Sequence, residues 1–158
     1  MLTRIVSWAE SLIRARPRYA YTESPPELPL INGTGATVAV GDLLMVDFSS
    51  AGINSTTFEY TTAIFPTTAA LTPTLGAVFC VAESVSAIGG TVMCRFEGDT
   101  LLKVTSGNAA VNTLLMGINA ASGAATATTG LLVIARSKES GTGLKRVYFK
   151  GTGICTSA

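Results

Sequence analysis

From Ile31 onward the chain keeps one rhythm: a short apolar run, then a cluster of Gly, Ser, Thr and Asn, then another run, with no helical period. Runs this short match strands separated by turns, so the rhythm confines residues 31–158 to an all-β fold. Strands are expected at roughly 36–40, 43–48, 57–65, 76–83, 91–97, 100–105, 113–118, 130–136 and 144–150. The stretch Ala120 to Thr129, AASGAATATT, has neither periodicity nor a large side chain. It reads as a surface loop, or as a segment packed between subunits.

A repeat runs through this β region. Ala39 to Gly52 reads AVGDLLMVDFSSAG and Ala110 to Gly123 reads AVNTLLMGINAASG, so Ala39-Val40, Leu43-Leu44-Met45 and Gly52 return at an offset of 71. Gly76 to Gly98 can be laid over Gly130 to Gly151 after one gap, both ending in Phe-charge-Gly at Phe96-Glu97-Gly98 and Phe149-Lys150-Gly151. Two blocks recurring in the same order predict two related β units, about 31–98 and 99–158, packed into a barrel or sandwich with internal duplication.

Residues 1–30 have a different character. Leu2, Ile5, Val6, Ala9, Leu12 and Ile13 fall at helical spacing over the first 16 residues or so, with Thr3, Arg4, Ser7, Glu10, Ser11 and Arg14 opposite. The spacing predicts a short amphipathic helix that needs a surface to lie on, because a helix of this length is marginal alone. Trp8, the only tryptophan, falls beside the apolar stripe and suits an anchor in an interface. Pro17, Pro25, Pro26 and Pro29 follow, a density that reads as an extended, partly stiff arm. Leu2, Ile5, Trp8, Leu12 and Ile13, with Pro25, Pro26 and Pro29 setting the reach, are therefore the candidate contact residues.

Composition narrows function by exclusion. The 158 residues include no histidine, which removes Ser-His-Asp and Cys-His machinery, histidine zinc sites and imidazole pH switches. Cys80, Cys94 and Cys155 are an odd set without CxxC spacing, so a disulfide framework is not expected. Cys80 and Cys94 sit in apolar runs and read as buried, reduced thiols in a protein assembled in a cytoplasm. No apolar run approaches the ~20 residues of a membrane helix, and no secretory signal is evident. Asn32-Gly33-Thr34 and Asn54-Ser55-Thr56 match the glycosylation triplet by composition alone and are set aside.

Arg14, Arg16 and Arg18 could contact phosphates but are balanced by Glu10, Glu23 and Glu27, a weak nucleic-acid signal, and charged residues at only 13% of the chain lean towards an assembly protein. The two β halves differ in sign. Residues 31–98 carry Arg95 against Asp42, Asp47, Glu59, Glu83 and Glu97, a net −4, while residues 99–158 carry Lys103, Arg136, Lys138, Lys145, Arg146 and Lys150 against Asp99 and Glu139, a net +4. Subunits meeting through opposite faces would gain register from this, and a scattered, solvated surface is the bland alternative.

No residue set assembles chemistry. Asp42 and Asp47 lie five apart across an expected strand, on opposite sides, and read as turn and strand-end residues. Glu97-Gly98-Asp99 reads as a tight hairpin connection. The glycine pairs at 33–35, 141–143 and 151–153 lack the helix and lysine of a phosphate loop and read as turns. Aromatics are only 7% of the chain, with no obvious cluster to serve as a sugar or peptide platform. No catalytic residue, cofactor or metal is expected.

The run ING-T-GATVAVGD-LLMVD followed by LGAVFCVAESVSAIGGTVMCRFEG resembles the small capsid cement or decoration proteins of tailed bacteriophages. Gly35, Ala36, Val38, Ala39, Gly41 and Asp42 match the family's opening Gly-Ala…Gly-Asp element, Gly76, Ala77 and Val78 echo its Gly-Val-Ala strand, and Gly90-Thr91-Val92 matches its Gly-x-Val strand. The resemblance stops in the second half, where Asn112-Thr113 stands in place of a second Gly-Asp, and the helix with its proline arm is not a general family feature. The resemblance implies a β-barrel-like, non-enzymatic protein on the outside of a phage head. It would be a homotrimer or other small homo-oligomer with the major capsid protein as partner, tying neighbouring capsid subunits together. A shell-forming coat protein or a tail or fibre component is the nearest alternative, and a non-catalytic ligand-binding β module the next.

Overall fold

A computed structural model describes residues 27–67, 77–106, 110–118, 121–126 and 132–156. The strands are β1 (Glu27–Asn32), β2 (Leu43–Val46), β3 (Thr62–Ile64), β4 (Phe79–Ala82), β5 (Thr91–Arg95), β6 (Glu97–Ser106), β7 (Leu114–Gly117), β8 (Ala124–Thr126), β9 (Leu132–Val133), β10 (Ala135–Ser137), β11 (Gly143–Lys150) and β12 (Cys155–Thr156). They form two closed five-stranded barrels, β1-β3-β2-β4-β5 and β10-β11-β6-β8-β7, with β12 and β9 paired as a separate ribbon. Closure removes the sheet edges that an open sandwich would expose.

Both barrels use one pairing plan. In the first, β1 runs parallel to β3 and every other neighbour is antiparallel. In the second, β6 runs parallel to β8 and the rest are antiparallel. Thus β1, β2, β3, β4 and β5 correspond to β6, β7, β8, β10 and β11. Register agrees residue by residue: Met45 faces Ile64 and Val46 faces Ala63, as Met116 faces Ala125 and Gly117 faces Ala124. Leu44 opposite Cys80 matches Leu115 opposite Ala135, and Val81 opposite Arg95 matches Arg136 opposite Tyr148. The offset of 71 therefore holds at β2 and β7. Laying Gly76 on Gly130 puts Phe79 on Val133, whereas the ladders put it on Ile134, a one-residue slip that would turn every side chain to the other face.

Uninterrupted apolar runs explain where the core lies. LLMV and FCVA, in β2 and β4, are buried on both faces. Their inward residues Leu44, Val46, Cys80 and Ala82 fill the first barrel with Leu30, Val38, Ala63, Val92 and Cys94. Their outward residues Leu43, Met45, Phe79 and Val81 join a second cluster with Leu102, Val104, Leu115, Ile134, Val147 and Phe149 of the other barrel. Each fully buried aliphatic or aromatic side chain contributes about 1.5–3 kcal/mol, so this shared cluster welds the barrels together. Phe96 alone separates β5 from β6.

Several local expectations give way. Residues 27–30, read as part of the arm, belong to β1, with Pro29 opposite Met93. The Ile31 amide donates to Thr61 O at 2.7 Å, and the nitrogen of Pro29, two residues back, faces the same side. There β3 has not begun, since its ladder starts with Thr62 opposite Ile31, so the missing N–H breaks no ladder bond. Residues 36–40 form a loop, with only Val38 bridging to Ser86. AASGAATATT contains β8: Ala124 is buried between β6 and β7, as Ala63 is in the first barrel, and the site takes a small side chain in both. Glu97-Gly98-Asp99 opens β6 instead of turning a hairpin, and Gly98 takes φ +100 there, a value open to glycine. The residues expected to form the N-terminal helix, with Pro17, Pro25 and Pro26, lie outside the described residues.

Candidate functional site

The turn that feeds β2 occurs twice, built from different residues. In the first barrel the Asp42 amide donates to Ala39 O at 3.1 Å, and Asp42 Oδ2 accepts from the Ala39 amide at 2.8 Å. In the second the Thr113 amide donates to Ala110 O at 3.1 Å, and Thr113 Oγ1 accepts from the Ala110 amide at 2.9 Å. Gly41 at φ +86 and Asn112 at φ +68 occupy the same left-handed position. Asparagine tolerates that conformation better than most residues with a Cβ, so Asn-Thr replaces Gly-Asp without changing the turn. Each turn is anchored to its barrel alike: Gly41 N to Ala82 O at 2.8 Å, and Asn112 N to Ser137 O at 2.7 Å.

The first turn also joins the barrels. The Lys103 amide donates to Gly41 O at 2.8 Å, and the Leu43 amide to Ser122 O at 2.6 Å. Lys103 Nζ lies 3.3 Å from Oδ1 of buried Asp42 and donates to Ser122 Oγ at 3.1 Å. The two signs of charge thus meet inside one chain. Asp42 and Asp47 are the turn and strand-end residues expected of them, Asp47 Oδ1 accepting from the Ser49 amide at 2.9 Å.

Asn32 is only 1% exposed. Its amide nitrogen donates to the carbonyls of Ala36, Ser86 and Ala87, and its Oδ1 accepts from the Thr34 amide and hydroxyl. It is a loop staple, shut away from modification. Cys80 and Cys94 are buried free thiols. Burial pushes the Cys80 thiol well above the ordinary thiol range, and the hydrogen bond and charge of Cys94 push it further. Among the described residues no three His, Cys, Asp or Glu side chains are grouped to hold a metal ion, and no helix is long and apolar enough to cross a membrane.

The surface feature that sequence reasoning missed is the connection from β2 to β3, residues 47–61. Phe48, Ile53, Phe58 and Tyr60 are all exposed on it, Phe58 by 79%. Phe48 and Tyr60 pack edge to face with centroids 5.0 Å apart and planes at 70°. A strand was expected over 57–65, but only Thr62–Ile64 is one. Phe58 sits instead at φ +58, a conformation that costs a non-glycine residue about 1–3 kcal/mol. Bonds from Asn54 N to Glu59 O and from Phe58 N to Asn54 O, both 2.7 Å, and from Thr61 N to Gly52 O at 2.9 Å hold it there. The aromatic spacing in FSSAGINSTTFEY was the available signal.

A second surface feature lies at the seam. A cleft of about 490 Å³ is lined by Glu83, Arg95, Asp99, Thr100, Leu101, Lys138 and Arg146. Arg95 pairs with Glu27 and, at 2.6 Å, with Glu83, while Lys138 pairs with Asp99 at 2.6 Å. Arg146 holds Glu139 loosely at 3.7 Å. Of the sequence-derived contact residues, Leu2, Ile5, Trp8, Leu12, Ile13, Pro25 and Pro26 lie outside the described residues, and Pro29 is exposed on β1. No family model matches the chain, and no curated protein matches it either.

Proposed function

We propose that this chain is a virion structural protein, a capsid cement or decoration protein that binds the outside of a phage head and stabilises contacts between major capsid subunits. The reading is carried by where the resembling residues fall. Gly35 to Asp42 leads into β2, Ala77-Val78 into β4, and Gly90-Thr91-Val92 into β5, so the matched elements that are described are the entries to three strands of one barrel. A two-barrel body welded by a shared core also suits a clamp. A ligand that binds an assembled lattice better than free subunits shifts the equilibrium towards the intact shell, and it needs stiffness and surface, not catalysis. An arm preceding β1, using Leu2, Ile5, Trp8, Leu12 and Ile13, adds contacts at high effective concentration.

Light scattering of the purified protein, alone and after mixing with capsids that lack it, tests this reading. A small defined oligomer that then saturates a fixed number of capsid sites is the expected result. Spontaneous growth into closed particles would make it a shell subunit instead, and indifference to capsids would return it to the class of binding modules. A truncated form for the same assay should begin at Glu27, because removal through residue 30 takes most of β1 and opens the first barrel.

A further inference from the structure

The loop at 47–61 is not needed to close a barrel. The second barrel joins the equivalent strands, β7 and β8, through residues 118–123 alone. The longer loop is nevertheless held by its own backbone hydrogen bonds and spends them on keeping Phe58 in a strained, exposed position. Aromatic side chains displayed on a backbone fixed this way are what association uses as anchors, since little backbone freedom is left to lose.

Charge indicates what the loop meets. Asp47 precedes Phe48 and Glu59 stands between Phe58 and Tyr60, on a barrel whose other charges are Glu27, Asp42, Glu83 and Arg95. The second barrel carries Lys103, Arg136, Lys138, Lys145, Arg146 and Lys150 against Glu97, Asp99 and Glu139. On its side of the seam cleft, exposed Leu101 stands directly opposite Arg146 across the β6–β11 ladder, and Lys138 lines the same cleft. That combination takes an aromatic ring with a neighbouring carboxylate: the ring covers Leu101 and the face of a cation, and Glu59 competes for loosely held Arg146.

We propose that the 47–61 loop of one copy docks in the seam cleft of a second copy, with Phe58 as the anchor and Glu59 facing Arg146. This deepens the oligomeric part of the cement reading and is independent of its capsid part, because it is tested without capsids.

Sedimentation equilibrium on the full chain provides the test. The wild type should associate, and Phe58→Gly should weaken association about tenfold or more. Glycine accepts φ +58 without strain, so this variant keeps its fold, which circular dichroism checks. Glu59→Arg and Arg146→Glu should each weaken association, and the double variant should restore it. A wild type that is monomeric at every concentration overturns the proposal, as does association indifferent to Phe58. Failure of the double variant to recover overturns the pairing with the cleft. Loss of capsid binding with self-association intact would count against the capsid reading alone.

Discussion

In the first barrel β2 and β4 are buried on both faces, whereas in the second Leu114 of β7 is half-buried and Arg136 of β10 points to water at the positions of Leu43 and Val81. The inward positions show no such contrast. Leu44 and Leu115, Cys80 and Ala135, and Ala63 and Ala124 are all fully buried. Closure of a five-stranded barrel dictates the inner face, and the neighbour dictates the outer one. The first barrel has the second against it and is apolar there; the second has room for a charge.

The most severe break in this comparison is Phe79→Ala. Phe79 faces the other barrel, so the variant should lose about 3–5 kcal/mol in urea unfolding and still unfold in one transition. Two separated transitions would show that the shared core does not couple the barrels. Arg136→Ala, on the equivalent outward face, should stay within about 0.5 kcal/mol of wild type. Next come Leu44→Ala and Leu115→Ala, inward counterparts whose costs should be similar, about 2–5 kcal/mol each. Unequal costs would mean that one interior relaxes around the cavity and the other does not.

The turns sharpen the comparison further. Gly41→Ala should cost about 1–2 kcal/mol from the left-handed backbone, with added crowding against the Leu144 side chain, while Asn112→Gly should be nearly neutral. The smallest effect is one of pH. Because the Cys80 thiol is raised in the folded state, its contribution to stability is whole below the ordinary thiol pKa of about 8.5 and is lost as pH rises towards the folded value. Cys80→Ala, which gives the first barrel the residue of the second, should flatten that alkaline decline in thermal melts.

Much of this architecture was legible in the residues. LLM at 43–45 and again at 114–116 located corresponding strands, and the apolar runs LLMV and FCVA fell in strands that the structure buries on both sides. What was hidden had physical reasons. Pro29 argues against a strand unless its nitrogen is known to face past the end of β3, and that is a fact of register. Ala124 carries no periodic signal because its site, like that of Ala63 in the first barrel, holds a small side chain. GATVAV alternates like a strand, yet only Val38 is drawn inside. The aromatic loop was masked by the same alternation, since TFEYTTAIF reads as one strand until Phe58 is seen to turn left-handed. The charge division read from the halves became a contact, Asp42 with Lys103, only once the barrels were seen side by side.

The pairing of β1 with β5 also sets an order of events during synthesis. Glu27–Ile31 must wait for Thr91–Arg95 before the first barrel can close, so nearly seventy residues, or about 3–14 s of translation, pass with apolar strands unsatisfied. The parallel β1–β3 contact is non-local as well, which slows closure once the partners are present. With only Phe96 between β5 and β6, the last strand to complete one barrel hands the nascent chain directly to the first strand of the next. The outward residues Leu43, Met45, Phe79 and Val81 then stay uncovered until the second barrel follows. Expression yield should therefore respond to chaperone supply more sharply than the stability of the finished protein would suggest.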